Sequence, residues 1–419
     1  MAPDTDNKRD NGRDNKRDRG RDAGHAPGGA GSDGAPLIVH VIHQLDVGGL
    51  ENGLVNMINH LPPGRYRHAI VCLKNATAFR QRLTAPGVEI ISLGKREGKD
   101  WGHYLRLYRV IKRLQPAIVH TRNLGCIEAQ LLAWLAGVRL RVHGEHGRDI
   151  GDLHGTSRKY RLLRKCLLPL IQHFIAVSAD LGHWLVEVIG AAPARVSHIG
   201  NGVDSVQFHP RLGPPAAVGP PGFLCNGAFV IGSVGRMAAV KDYRSLVQAF
   251  LLLLAQPGAR ARLRLMIIGD GPCRDACLTL LQQAGAAHLA WLPGARDDVA
   301  QLLRAMDLFV LPSLAEGSSN TILEAMATGL PVVATQVGGN AELVQSGWSG
   351  TLVPPGSPEM LADAMLDYYS MPELGPRHGA RGRRQVLAEH SLPAMAGAYL
   401  AVYDRLTGAR APSPLSTYP

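Results

Sequence analysis

The sequence predicts an α/β protein made of two doubly wound parallel-sheet domains. Three observations carry this reading. Short apolar, β-branched runs alternate with segments of helical period from Pro36 onward. A strand, a glycine-containing turn and a helix occur in succession twice, first across residues 37–61 and again across 229–255. Between them, Pro210 to Gly227 is rich in Pro and Gly and reads as a linker or surface loop. A length of 419 residues with 46% hydrophobic content suits two domains of ordinary size.

Residues 1–35 stand apart from both domains. Asn7-Lys8-Arg9-Asp10 begins a tetrapeptide pattern that continues to Asp22, and no Val, Ile, Leu or aromatic residue lies between Ala2 and Ala35. Such a segment cannot bury enough surface to offset its ordering entropy and is expected to be disordered.

The first domain is expected over residues 36–205. Leu37 to Ile42 is its opening strand, Gly48-Gly49 its turn, and Leu54, Val55, Ile58 and Leu61 mark the apolar face of the helix that follows. This opening is Rossmann-like, and its helix N-terminus can face a phosphate. The dinucleotide fingerprint Gly-x-Gly-x-x-Gly is absent. Further strands are expected near residues 69–73, 88–93, 118–120, 139–143 and 174–177, with a basic helix over 104–114. Asn201-Gly202-Val203-Asp204 is a turn cluster at the domain's end.

The second domain is expected over residues 206–394. It opens with the strand Phe229 to Met237 and a helix from Tyr243 to about Ala255. Strands follow at 263–268 and 288–292, then a helix at 299–305. Leu308 to Ser313 is a buried strand end, and Asn320 is the expected N-cap of a helix that stops at Gly329. Leu330 to Thr335 is the next strand, and the loop at 314–320 therefore lies at a strand's carboxyl end, where open α/β sheets bind ligands. A final helix covers about 394–406.

Composition narrows the partners. A formal charge of +11 suits phosphorylated substrates or an anionic membrane. Nucleic acid is not expected, because aromatics are only 5% and no nucleic-acid motif occurs. No stretch approaches about 20 apolar residues, and the N-terminus has no secretory pattern. The six cysteines are scattered, as for reduced thiols, so a cytoplasmic protein is expected. The only Asp-x-Asp is Asp4-Thr5-Asp6 in the charged tail, and no metal or other cofactor is expected. Ser157 to Leu170 interleaves Arg158, Arg161, Arg164 and Lys165 with Leu162, Leu163, Leu167 and Leu168, a pattern that can lie peripherally on an anionic bilayer.

Chemistry gathers at three places. Arg236 and Lys241 follow a strand, with Gly235 before them, and offer a planar fork and a point charge to phosphate oxygens. Glu316 lies in the loop and Glu324 in the next helix, with seven residues between them. The backbone N–H groups of Gly317, Ser318, Ser319 and Asn320 can meet a sugar or phosphate at the helix N-terminus. His146 lies just past a strand in His143-Gly144-Glu145-His146-Gly147-Arg148-Asp149, with His143 as the competing candidate.

The string Glu-Gly-x-x-Asn-x-x-x-Glu-Ala-Met-Ala-x-Gly-x-Pro-Val-Val-Ala-Thr, matched from Glu316 to Thr335, resembles that of retaining glycosyltransferases of family 4, which have the GT-B fold. Gly-Arg-x4-Lys at Gly235, Arg236 and Lys241 and the Asn-Gly-Val-Asp turn fit the same resemblance. It implies two Rossmann-like domains facing a central cleft, with a last helix, 395–412, crossing back to the first. It also implies transfer of a sugar from a UDP- or GDP-linked donor to a hydroxyl of a glycan or lipid-linked acceptor, with retention at the anomeric carbon. In that reading Gly48, Gly49 and Gly317 to Asn320 bind donor, and Arg236 and Lys241 hold its diphosphate. Glu324 accepts the ribose hydroxyls, Glu316 contacts the sugar, and His146 sits between acceptor and donor phosphate. The His-Gly-Glu-His-Gly-Arg-Asp string also resembles sugar transferases encoded with bacterial exopolysaccharide and exosortase (PEP-CTERM) systems. Two other readings stand beside it: a nucleotide-sugar epimerase of the same fold, and a non-catalytic nucleotide-sugar-binding module.

Overall fold

The computed structural model describes residues 34–46, 48–98, 100–148, 152, 155–214 and 218–409. The charged N-terminal segment expected to be disordered, residues 1–35, lies outside these except for its last two residues. Seven strands form the first sheet: β1 (Leu37–Ile42), β2 (Arg67–Cys72), β3 (Glu89–Ser92), β4 (Ile118–Arg122), β5 (Leu140–Glu145), β6 (His173–Ala176) and β7 (Val196–His198). Six form the second: β8 (Phe229–Val234), β9 (Leu263–Ile268), β10 (Ala290–Gly294), β11 (Leu308–Leu311), β12 (Val332–Thr335) and β13 (Gly350–Val353). The helices of the first half are α1 (Gly49–His60), α2 (Gly102–Leu114), α3 (Ala129–Leu135), α4 (Arg158–Leu167) and α5 (Ala179–Trp184). Those of the second are α6 (Tyr243–Leu253), α7 (Ala259–Arg262), α8 (Arg274–Gln283), α9 (Val299–Leu303), α10 (Asn320–Ala327), α11 (Asn340–Leu343), α12 (Pro358–Ser370), α13 (Leu374–Glu389) and α14 (Leu392–Thr407).

Both sheets are parallel, with orders β3-β2-β1-β4-β5-β6-β7 and β10-β9-β8-β11-β12-β13. Two Rossmann-like domains of the GT-B type result. Each order reverses direction once, at β1/β4 in the first sheet and at β8/β11 in the second. Splayed connections there leave a crevice outside the strand ends. The Gly48-Gly49 turn follows β1, the Arg236–Lys241 loop follows β8, and the Glu316 loop follows β11. Topology alone thus gathers the motif residues.

Alternation along the strands builds one core on each sheet face. In the first domain Ile38, Ile42, Ile70 and Ile118 pack with Leu54, Val55 and Ile58 of α1. Val39, Val41, Val71 and Val119 pack on the other face with Leu107 and Ile111 of α2 and Ala129 and Ala133 of α3. In the second domain Ile231, Leu265 and Val310 meet α6, α8 and α12, and Met266, Phe309 and Val332 meet α10. Helix α14 contributes Met395, Tyr399, Val402 and Tyr403 to the core of the first domain, and Tyr66 Oη donates to Asp404 Oδ1 at 2.8 Å.

Several elements differ from the sequence expectation. The N-cap of α10 is Ser319, not Asn320: its hydroxyl accepts from Ile322 N–H at 3.3 Å. Helix α13 was not expected, because Gly375, Pro376, Gly379 and Gly382 interrupt its pattern. Packing requires one of them: a Cβ on Gly379 would lie 2.0 Å from Gly329 O. Helices α3, α5, α11 and α12 and strands β7 and β13 were also not expected, and α3 has apolar residues on all sides, which removes its period.

Candidate active site

On the second domain, the loops after β8 and β9 are bonded to each other. Gly235 N–H donates to Ile268 O at 2.9 Å and Met237 N–H to Asp270 O at 2.8 Å. Gly269 has φ +144°, and a Cβ there would lie 2.0 Å from Gly235 O, so only glycine lets the loops approach this closely. Arg236 lies between the two bonded residues and is exposed. Lys241 ends a short 3-10 turn, and its Nζ lies 2.5 Å from Glu316 Oε1. Ser313 Oγ donates to the same oxygen at 2.6 Å, and Leu314 N–H donates to Val240 O at 2.8 Å. The structure therefore makes Lys241 and Glu316 one ion pair, where the sequence reading gave them separate partners.

Glu316 and Gly317 are gripped by a second glycine pair. Gly339 N–H donates to Gly317 O at 3.1 Å, and a Cβ on Gly338 (φ +47°) would lie 1.8 Å from Glu316 O. Across the cleft, a Cβ on Gly317 would lie 2.7 Å from Gly147 Cα and 2.8 Å from His146 O. Backbone thus meets backbone where the two domains face each other. Asn201 Nδ2 donates to Ser318 O at 3.4 Å, and Asn320 Nδ2 donates to Gly49 O at 3.3 Å. Ser319 is buried and its hydroxyl is committed to the helix cap, so its side chain is withdrawn from any ligand.

Gly48 is the extended N-cap of α1, and Glu51 folds back over it: a Cβ on Gly48 would lie 2.2 Å from Glu51 Oε2. Burial pushes the Glu51 carboxyl up, Asp46 adds to this, and Arg122 and Arg236 oppose it. Glu51 therefore senses one cation from each domain. Glu324 is half-buried on α10 and its carboxyl is pushed up to about 7 by burial, with Arg82 of the first domain opposing.

His146 N–H donates to Asn123 Oδ1 at 2.7 Å, and its Nε2 is buried without a protein partner. Burial first, then Arg122 and His143, press its pKa down to about 3 against the opposing Glu145, so the ring is neutral near pH 7. His143 is fully buried, with Thr121 Oγ1 at 2.8 Å from Nδ1 and Glu145 Oε1 at 3.3 Å from Nε2. It is interior framework, and of the two histidines His146 is the one at the cleft.

Arg122, at the end of β4, is only 2% exposed and bonds His40 Nδ1 at 3.1 Å. Sequence reasoning missed it, as it missed Asn123 and Glu51, and it gave Asn201 only as part of a turn. Glu51 was legible as the acid in Gly-Gly-Leu-Glu, whereas the burial of Arg122 comes from strand register, His40 facing His120 across β1 and β4. Glu342 was also missed. From the second domain it receives Ala179 N–H at 2.9 Å and Asp180 N–H at 3.2 Å, capping a first-domain helix. Beside it, Ser318, Gly339, His198, His390 and Met395 line an interdomain cavity of about 350 Å³. Among the described residues no group of His, Cys, Asp or Glu is arranged to hold a metal ion.

Comparison with known proteins bears on both domains. Residues 47–207 match the model for Glycosyltransferase Family 4, and residues 228–371 match that for Glycosyl transferases group 1. A UDP-Gal:alpha-D-GlcNAc-diphosphoundecaprenol alpha-1,3-galactosyltransferase of Escherichia coli is 29% identical over 61% of this chain and 67% of its own. The lipopolysaccharide core biosynthesis mannosyltransferase LpcC of Rhizobium leguminosarum bv. viciae is 28% identical over 77% of this chain and 89% of its own. Among solved structures, a glycosyltransferase from Rickettsia africae superposes with a TM-score of 0.74 at 19% identity, covering 90% of this chain and all of that one. HepE of Anabaena, in complex with UDP and glucose, gives 0.73 at 18% identity, covering 88% of this chain and all of that one. Both sheet domains are therefore similar to glycosyltransferases, the first domain to family 4 and the second to group 1.

Proposed function

We propose that this protein transfers a sugar from a nucleoside diphosphate sugar, UDP- or GDP-linked, to a hydroxyl of a lipid-linked glycan in bacterial exopolysaccharide synthesis, with retention at the anomeric carbon. The observation that carries the reading is the Lys241–Glu316 pair, beside Arg236 and directly across a backbone contact from His146–Gly147. The named acceptor of the Escherichia coli relative and the UDP in the Anabaena structure support the donor and acceptor classes.

The chemistry follows from charge. A leaving diphosphate gains negative charge as the glycosidic bond breaks, and cations already in position stabilise it most in the transition state. Arg236 and Lys241 supply those cations without a metal. Glu316, tied to Lys241 and Ser313, aims its remaining acceptor capacity at the sugar hydroxyls. Glu324 in its ionised form accepts the two ribose hydroxyls. His146, neutral, exchanges hydrogen bonds with the acceptor or sugar and adds no positive charge beside the forming oxocarbenium centre. The acceptor proton passes to the leaving phosphate on the same face, so the protein mainly positions its reactants.

The test is a thermal-shift panel of UDP, GDP and their sugars, followed by transfer to a polyprenyl-diphosphate glycan. A nucleotide that binds the native state raises the melting temperature. A glycoside of retained configuration is the expected product. A free, altered sugar with no glycoside would make the protein an epimerase instead, and binding without turnover would make it a donor-binding module.

A further inference from the structure

We propose that Asn123 is a positioning residue for His146, held in a strained backbone conformation for the sake of the site and not of the fold. The role of His146 rests on the proposed transfer reaction; the geometry of Asn123 does not.

Asn123 follows β4 with φ +57° and ψ 168°. Among the described residues, Gln115, Asn123 and Asp242 are the residues other than glycine with positive φ. Gln115 ends α2 and Asp242 ends the 3-10 turn at Lys241, both in the left-handed helical conformation common at helix ends. Asn123 is different. Positive φ with extended ψ is a region that essentially only glycine occupies. The position suits glycine, yet it carries a side chain. Strain of this kind persists only where the surroundings hold it, and it gathers at functional sites.

The side chain shows what holds it. In the parallel ladder of β4 and β5, Arg122 is opposite Gly144, and Asn123 N–H donates to Gly144 O at 2.8 Å. In a regular ladder the next rung would run from His146 N–H to Asn123 O. That carbonyl is diverted: it accepts from Cys126 N–H at 3.1 Å and starts the 3-10 turn Leu124–Cys126. Asn123 Oδ1 takes its place and accepts from His146 N–H at 2.7 Å. The chain can therefore leave β4 at the switch point while the end of β5 stays pinned. Glycine would allow the turn but supply no rung.

The pinned segment is the one that meets the second domain. The His146 ring folds back over Gly144, where a Cβ would lie 2.7 Å from His146 Nε2 and 3.2 Å from His120 Nε2. Both nitrogens are buried without a protein partner. On its other side, His146 O and Gly147 Cα lie against Gly317, next to Glu316. One side-chain hydrogen bond thus sets both the imidazole and the backbone surface that faces the Glu316 loop.

Three substitutions separate backbone from side chain. Asn123→Gly removes the acceptor and the strain, and Asn123→Ala removes the acceptor but keeps the strain. Asn123→Asp keeps an acceptor and the tolerance for positive φ. The Gly and Ala variants should both lower kcat about tenfold or more with donor KM nearly unchanged, because a misplaced group is felt mainly in the transition state. Their melting temperatures should part, with the Gly variant at or above wild type and the Ala variant below it. Hydrogen exchange in the peptide covering residues 144–148 should be faster in both. Asn123→Asp should restore most of the turnover. In a His146→Ala background, Asn123→Gly should lower turnover much less than it does in the wild type. Wild-type turnover in Asn123→Gly overturns the proposal. So does a melting temperature in Asn123→Gly that falls together with turnover, which would make Asn123 an ordinary residue of the fold. Unchanged exchange at 144–148, full additivity with His146→Ala, or an Asp variant as slow as the Gly variant also overturns it. Exchange and melting need no substrate. If they behave as expected in a protein that transfers no sugar, the transferase reading alone is removed, and transfer without those shifts removes the positioning alone.

Discussion

Lys241 Nζ lies 2.5 Å from Glu316 Oε1, and that ion pair joins the loop after β8 to the loop after β11 across the switch point of the second sheet. Both side chains are mostly buried, and Ser313 holds the same carboxylate oxygen. The pair therefore behaves as a unit. In the proposed reaction this pairing would hold the ammonium toward the diphosphate and the carboxylate toward the sugar.

Coupling is the first expectation. Lys241→Ala and Arg236→Ala should each lower kcat by about 10²-fold, the usual effect of removing one preorganised charge interaction. Lys241→Ala and Glu316→Gln should be non-additive, with an interaction energy of roughly 0.5–3 kcal/mol for residues that touch directly. Arg236→Ala combined with Glu316→Gln should be closer to additive. A double-mutant cycle on kcat/KM measures this, and strict additivity for Lys241 and Glu316 would break the unit.

Gly317 carries the second expectation. A Cβ there would sit 2.7 Å from Gly147 Cα, with backbone rather than a flexible side chain as the obstacle. Gly317→Ala should force the domains apart locally, and a displacement of about 1 Å can cost about 10² in turnover. Bare nucleotide binding, which in the proposed reaction rests mainly on Arg236, Lys241 and Glu324, should change little. Calorimetry beside steady-state kinetics checks this, and unchanged turnover would mean that the domains face each other differently during catalysis.

The strand–turn–helix openings and the Glu316–Thr335 string were legible because each rests on local chemistry: apolar runs, glycine turns, a cap and fixed spacing. The Lys241–Glu316 pairing was not, because it depends on two loops 75 residues apart meeting at a switch point. Ser319 displaced Asn320 as the cap by one residue, and that single step decides which side chain is free to reach Gly49. Arg122 and the surrounding histidines are equally illegible. Nothing local says that His40, His68 and His120 are inside, and only parallel register stacks them on one sheet face.

Those histidines give the pH expectation. His68 is held down to about 4 by burial and then by Arg122, and His173 to about 4 by burial and then by Arg405 and Arg195. His146 is held down to about 3. Each is near 6.5 when unfolded, so below that pH the unfolded chain binds protons that the folded one refuses. Stability is full above about pH 6.5 and falls as pH drops toward 4, by about 1.4 kcal/mol per pH unit for each such histidine. Glu324, raised by burial, acts in the opposite direction but is outnumbered. Melting temperatures at pH 7.5 and 5.5 should therefore differ in favour of the higher pH, and His68→Gln should shrink the difference. A midpoint independent of pH would contradict the burial of these rings.

Glu324 provides the last expectation. Its carboxyl titrates near 7 because burial disfavours the charge more than Arg82 supports it. Only the ionised form can accept from both ribose hydroxyls, and charge-assisted bonds are about twice as strong as neutral ones. Affinity for a bare nucleoside diphosphate should then rise between pH 6 and pH 8. The diphosphate itself titrates in this window, so the comparison is with Glu324→Gln, which should bind more weakly and show a smaller rise. Glu316→Gln should behave differently. It releases Lys241 from its partner, so nucleotide affinity should hold or increase while turnover falls if, as proposed, the carboxylate acts on the sugar and not on the nucleotide. Calorimetry at both pH values, with turnover of the full donor, separates the two carboxylates. Equal loss of nucleotide affinity in both variants would show that Glu316 also bears on the nucleotide. Unchanged affinity and turnover in both would remove the Glu316–Glu324 pair from the site altogether.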